Sequence, residues 1–179
     1  MEFRKITPEE YELVKNHVNA SFTLQDFGKI VANYEIILMV GKWIEVLLVS
    51  NQMVKIFQEL KNFRNPYFMG VYFGDIKRNK FKISLEGITF IAQYIDDKSI
   101  LSESGEKKVL YGRDLTKSDL FYIPKQIKKD ERSILINKKE EVLALGKYLF
   151  DRKKIGTLGD QEKIIKNVID KGWYLRKGG

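Results

Sequence analysis

The chain has no cysteine, one histidine and three prolines in 179 residues, and each scarcity excludes some chemistry. Without cysteine there is no thiolate nucleophile, no Cys-ligated zinc, no iron–sulfur cluster and no disulfide, which fits an intracellular, cytoplasmic setting. The single histidine, His17, has no identifiable serine or cysteine partner, and on the polar side of a first helix it is expected at the surface. No P-loop is present and no G-x-G-x-x-G follows a strand, so no nucleotide or dinucleotide cofactor is expected. No apolar run approaches the length of a membrane span, and the start MEFRKITPEE lacks the pattern of a signal peptide, so a soluble protein is expected.

Positive charge, by contrast, is plentiful. Lys and Arg number 32 against 24 Asp and Glu, a formal net charge of +8, which suits an acidic partner such as nucleic acid. The excess is uneven: residues 1–94 hold 12 basic and 10 acidic groups, and residues 95–179 hold 20 and 14. Asp96-Asp97-Lys98 is the first polar break, and it divides the chain into expected domains 1–96 and 97–179. The adjacent acids there read as turn chemistry, not as a metal site.

In the first part, Thr7-Pro8-Glu9-Glu10 predicts a helix start with a capping box, and Leu13, Val14 and Val18 supply its apolar face. Ile30–Val40 and Trp43–Val49 read as strands joined tightly at Gly41-Lys42, with at least one buried on both faces. A helix from Ser50 or Asn51 carries an apolar stripe of Met53, Val54, Phe57 and Leu60 and ends at Asn65-Pro66. Strands Tyr67–Phe73 and Lys80–Leu85 follow, and then a helix capped by Ser84 with Ile88, Ile91, Ala92 and Ile95 inward.

In the second part, Lys98–Leu101 and Lys107–Tyr111 are expected to be paired strands, with Gly112 as the joint to a helix bearing Leu115, Leu120 and Ile123. Ser133–Asn137 and Val142–Leu149 read as a hairpin about Lys138–Glu141. The tail from Asp160 fits either a helix or a closing strand. Ile155-Gly156-Thr157-Leu158-Gly159 has the GXXG spacing of KH domains, but its inner residues are not basic and Glu162 stands where that fold needs an apolar residue. Basic residues gather at Lys125, Lys128, Lys129 and Arg132, at Arg152, Lys153 and Lys154, and at Lys163, Lys166, Lys171, Arg176 and Lys177. Two clusters flank one hairpin, which favours a phosphate-binding surface over a merely solvated face.

The blocks Met69–Ile76, Phe81–Ser84 and Leu110-Tyr111-Gly112, in that order, resemble the ribosome-biogenesis factor known from eukaryotes as nuclear import protein seven. The resemblance implies an α+β fold: an N-terminal antiparallel sheet with surrounding helices, then a C-terminal β pseudo-barrel of the PUA type. It implies a non-enzymatic, RNA-binding adaptor from an archaeon, acting in large-subunit ribosomal RNA maturation or RNA processing; the alternative readings are a subunit of an RNA-modifying enzyme that carries a PUA domain, disfavoured by the lack of a glycine-rich cofactor loop in the short N-terminal part, and a protein-only scaffold. Ribosome-assembly or exosome-associated proteins are its implied partners. Archaeal relatives end in a pattern like N-x-x-D-x-G-x-x-L-R, matched here by Asn167, Asp170, Gly172, Leu175 and Arg176. Aligned from that end, the family's RNA-linked basic positions fall on Glu162, Lys163, Lys166 and Ile169. Lys163 and Lys166 keep their charge, Glu162 and Ile169 depart, and Lys171 stands nearby as a substitute. The resemblance also implies that the tail is a closing strand with a terminal helical turn.

Overall fold

The structure is a computed structural model that describes residues 2–22, 26–60 and 69–177. It divides into two compact units, Met1–Tyr94 and Ile95–Gly179.

The first unit is built on an antiparallel sheet of strands β1 (Glu2–Lys5), β2 (Tyr34–Val40), β3 (Ile44–Ser50), β4 (Val71–Lys77) and β5 (Lys80–Ile83), in that spatial order. Helix α1 (Pro8–Ser21) begins as expected: the Thr7 hydroxyl accepts from the Glu10 N–H, and the Glu10 carboxylate accepts from the Thr7 N–H. That reciprocal pair satisfies two of the N–H groups a helix start leaves open. Glu10 is also gripped by the Arg4 guanidinium at 2.7 and 2.8 Å, which holds its carboxyl at about 2. A short helix α2 (Phe27–Ile30) takes the beginning of the run expected to be strand, because Asp26 caps it through the Gly28 N–H.

Val46–Val49 are buried on both faces of the sheet, as their unbroken apolarity requires. On one face Ile37, Met39, Leu47 and Val49 meet Val54 of α3 (Asn51–Leu60) and Met69. Met53, assigned to the same stripe, is instead exposed, and the Asn65-Pro66 stop and the start at Tyr67 lie outside the described residues. Elsewhere Phe73 stacks on Phe81 at 5.7 Å and tilts against Phe27 at 6.0 Å. His17 is half-buried, its ring edge-on to Phe81 at 5.4 Å, so the expected surface histidine is a packing residue. Ser84 caps α4 (Leu85–Ile91) through the Gly87 N–H, and Ile88, Ile91 and Ala92 are buried.

The second unit holds strands β6 (Ser99–Leu101), β7 (Leu115–Thr116), β8 (Leu120–Tyr122), β9 (Arg132–Ile136), β10 (Val142–Tyr148) and β11 (Lys163–Asp170). Their spatial order is β7-β11-β10-β9-β6-β8, with only β6 and β9 parallel. The edge strands β7 and β8 are separated by just the 3₁₀ turn Lys117–Asp119. A six-stranded sheet whose two edges are joined by three residues must curl on itself, which makes the pseudo-barrel. Leu101, Val109, Leu115, Leu135, Ala144, Tyr148, Ile155, Ile164 and Ile165 fill it. Among them the Tyr148 hydroxyl, pushed up to about 12 by burial, shares hydrogen bonds with Ser99 at 2.6 Å, and Ser99 with Ser133 at 2.7 Å.

The region about Gly112 is reversed from expectation. Residues 103–110 form helix α5 (Glu103–Leu110), and the strand β7 and turn follow the glycine. Ser102 caps α5 through the Gly105 N–H, acids occupy its first turn and Lys107 and Lys108 its last. Gly112 ends it with φ +75°: its N–H donates to Val109 O and that of Arg113 to Lys108 O, the two bonds of a Schellman motif. The alternation that puts apolar Val109 and Tyr111 on one side suggests a strand; Ser102, Gly112 and the contacts to Asp119 override it. The tail is the closing strand β11 plus helix α7 (Gly172–Lys177).

Asp119 is 1% exposed, yet its carboxylate accepts from Lys108 Nζ at 2.7 Å, Thr116 N at 2.8 Å, Thr116 Oγ1 at 2.7 Å and Ser104 Oγ at 3.0 Å. Burial works against its charge, but these bonds outweigh it and hold the carboxyl below its usual range. Its backbone O accepts from Ser102 N at 2.9 Å, and a Cβ on Gly105 would stand 2.1 Å from that same oxygen. Only glycine lets α5 approach the turn this closely.

Two predictions follow from this unit, each read from Trp173 emission in a Trp43→Phe background. Gly112→Val places a β-branched residue in the left-handed region beside the Arg176 guanidinium and lowers stability by about 1 to 3 kcal/mol; a melting temperature equal to the parent contradicts that role. A carboxyl with a lowered pKa stabilises the fold above its unfolded value, about 3.9, and this stability is lost as pH falls through the folded value. Asp119→Asn therefore melts earlier than the parent at pH 7, by about 1 to 3 kcal/mol, and the gap closes as pH falls through the lowered folded value. Because acid also loosens Glu10 in the other unit, the measure is the gap between the two proteins; a gap constant with pH contradicts the charged state of Asp119.

Candidate nucleic-acid interface

Lys163 and Lys166 stand on β11, both exposed, on either side of the buried Ile164 and Ile165. Lys163 opens the strand opposite Thr116 and lies 3.7 Å from Asp114, with 68% of its side chain still exposed. Lys166 faces Lys147 of β10 across the sheet, and Lys147 in turn faces Arg132 of β9. The register thus sets three cations side by side on one sheet face, with neighbouring Cβ atoms about 5 Å apart. Like charges in that relation repel. Asp130 relieves the centre of the row, bonding Lys147 Nζ at 2.6 Å, and that lysine holds the Asp130 carboxyl below its usual range. Burial pushes Arg132 down from its ordinary value, although it stays charged at neutral pH. Lys166 has no ion-pair partner among the described residues.

Arg152, Lys153 and Lys154 form the first turn of α6 (Arg152–Thr157), capped by Asp151 through the Lys154 N–H. Cations in a first turn oppose the partial positive charge of the open N–H groups, so helix stability does not account for them. The Arg152 N–H donates to Ile127 O at 3.1 Å, and the Asp130 N–H donates to Tyr148 O at 2.9 Å. These bonds draw the loop bearing Lys125, Lys128 and Lys129 against the start of α6 and the end of β10. The two basic clusters flanking the hairpin therefore converge. Lys171 does not join them: it follows β11 at its far end, roughly 25 Å along the strand from Lys163.

The C-terminal pattern has a different task. Arg176 grips Asp170 with both terminal nitrogens, each at 3.0 Å, and also donates to Leu110 O. Asn167 Nδ2 donates to Val109 O at 3.0 Å and to Asp170 at 3.1 Å, and a Cβ on Gly172 would collide with Leu110 O. Asn167, Asp170, Gly172 and Arg176 thus fasten the end of β11 to the end of α5. Gly156 and Gly159 have open space where a Cβ would stand, and Gly156 lies within α6, so the GXXG spacing is not a backbone clamp here. Lys147 escaped notice in the sequence because it is a lone cation in an apolar strand; only the pairing register reveals its neighbours. Among the described residues no cluster of His, Asp or Glu could hold a metal ion, and no helix is long and apolar enough to cross a membrane.

A helix-bearing antiparallel sheet followed by a curled six-stranded barrel with a cationic face defines a PUA-domain protein. Residues 97–179 match the UPF0113 PUA domain and residues 3–85 match the NIP7/UPF0113 pre-PUA domain, and the chain belongs to this NIP7/UPF0113 family. A relative called UPF0113 protein, from Archaeoglobus fulgidus, is 26% identical over 178 residues, covering 98% of this chain and 95% of the relative. A conserved PUA domain protein from Thermoplasma acidophilum has the same fold with a TM-score of 0.63 at 12% identity, covering 96% of this chain and 95% of that one. A PUA domain protein from Aeropyrum pernix K1, solved as a tartrate complex, aligns with a TM-score of 0.64 at 9% identity, covering 94% and 85%.

Proposed function

We propose that the protein is a non-enzymatic RNA-binding adaptor that acts in archaeal ribosome assembly, through large-subunit ribosomal RNA maturation, or in RNA processing. The observation that carries the RNA reading is the Arg132–Lys147–Lys166 row. It sets three cations side by side on adjacent strands, and even with Asp130 on Lys147 it offers a phosphate chain a row of positive charge to follow. Lys163 extends the row along β11, and the loop and α6 cations widen it. The backbone of the RNA lies on this surface, and shape or unpaired bases supply selectivity. The biogenesis role is supported by membership of the NIP7/UPF0113 family, whose eukaryotic members it resembles in the order of its motifs. Ribosome-assembly or exosome-associated proteins are the partners this role calls for, in the cytoplasm.

Binding of a single-stranded RNA over a salt series tests the reading. The affinity falls with salt, with a log–log slope of about 0.7 per phosphate contact, so Lys163→Ala/Lys166→Ala flattens the slope by about 1.4. If that variant is unchanged while Arg152→Ala/Lys153→Ala/Lys154→Ala loses affinity and slope, the RNA runs along the hairpin exit instead of β11. If neither changes, the cations are a solvated face and the adaptor reading gives way to a protein-only scaffold.

A further inference from the structure

The N-terminal unit carries a second basic surface, built differently from the first. The β2–β3 hairpin turns at Gly41-Lys42-Trp43, closed by the Gly41 N–H donating to Trp43 O at 3.1 Å. The β4–β5 hairpin turns at Arg78 and Asn79, whose φ angles of 50° and 56° make the tight turn that suits the twist of its strands. Because Ile44 pairs with Ile76 and Lys77 with Lys80, both tips project from the same end of the sheet. Trp43 is 43% exposed there, outside the buried core, with Lys77 Nζ 4.1 Å and Lys42 Nζ 4.9 Å from its ring centroid. Arg78, Lys80 and Lys82 are exposed on the adjoining β4–β5 hairpin. The acids near these cations are Glu2 at the end of β1 and the cross-strand pair Glu45 and Asp75, the latter 3.5 Å from Lys77. Two cations thus lie over one exposed indole, and three more stand on the neighbouring hairpin, against three carboxylates.

We propose that this end of the N-terminal sheet is a second contact for single-stranded RNA, in which a base stacks on Trp43 while Lys42, Lys77 and Lys80 take the flanking phosphates. The inference rests on the RNA-binding reading above and extends it to the other unit. An exposed indole offers the sequence-tolerant stacking face that single-strand binders use, and interleaved lysines are the usual complement for the backbone. Lys42 is held over the ring by a weak exposed cation–π attraction and Lys77 by the same attraction and its exposed ion pair with Asp75, contacts that phosphates can replace as the base arrives.

The chain has two tryptophans, so in Trp173→Phe the emission of Trp43 reports this site alone. Titration of the full chain with an oligouridylate of about 12 nucleotides is expected to quench Trp43 saturably, as base stacking does. Lys77→Ala/Lys80→Ala is expected to require about fivefold more RNA at low salt. Anisotropy of labelled RNA on the same protein separates the outcomes. Binding by anisotropy with unchanged Trp43 emission overturns the tip site and leaves the C-terminal reading intact. Saturable quenching, with total affinity indifferent to Lys163→Ala/Lys166→Ala, supports the tip and overturns the β11 site. No binding by either signal overturns both, and an equal quench from polyglutamate overturns stacking in favour of an acidic protein partner.

Discussion

The buried carboxylate of Asp119 is the constraint on which the C-terminal unit depends. An ionised carboxylate out of water is tolerated only when its lone pairs are filled, and here four donors from two segments fill them. Ser104 and Lys108 come from α5, and the backbone and hydroxyl of Thr116 come from β7. One side chain therefore fixes the helix, the first edge strand and, through its own place in the Lys117–Asp119 turn, the approach to the second edge strand. With both edges pinned so close together the sheet has to curl. The close approach of Gly105 to Asp119 O tightens the same joint.

A second lock at the opposite end of β11 works on the same helix. Asn167 and Arg176, both held by the Asp170 carboxylate, donate to the last carbonyls of α5, where a helix leaves its acceptors unpaired. Strand β11 is thus held at its start against β7, which Asp119 positions, and at its end against α5. The lysines between are displayed on a fixed platform beside Lys147 and Arg132. A surface arranged in advance loses little freedom when a backbone of phosphates settles on it. In the proposed RNA-binding role, the motif residues near the C-terminus act indirectly, by holding the strand that carries the lysines.

Much of the first unit was legible in the sequence because its signals are local. The Thr7 capping box, the Ser84 cap and the unbroken apolar runs of β2 and β3 act within a few residues of themselves. The stretch from Ser102 to Pro124 was misread for the opposite reason. Ser102, the early acids and the late lysines of α5 were present as helix signals, but Val109-Leu110-Tyr111 favours a strand locally, and Asp119, which helps to settle the choice, lies beyond the helix it binds. Gly112 ends a helix where the local sequence predicts that it starts one. Lys163 and Lys166 are read from resemblance to a family, and the structure places both exposed on one strand. The row with Lys147 and Arg132 was not legible, because cross-strand register depends on bulges such as that between Leu145 and Gly146. His17 shows the same limit, since the ring that covers it belongs to a strand far along the chain.

The central claim, that RNA lies across the β9–β10–β11 face, is tested most directly by photocrosslinking the full chain to a single-stranded RNA containing 4-thiouridine and identifying the modified peptides by mass spectrometry. The account predicts crosslinked peptides from the loop before β9, the start of α6 and β11 around Lys163 and Lys166. Crosslinks absent from residues 125–171, whatever is found elsewhere, would contradict it.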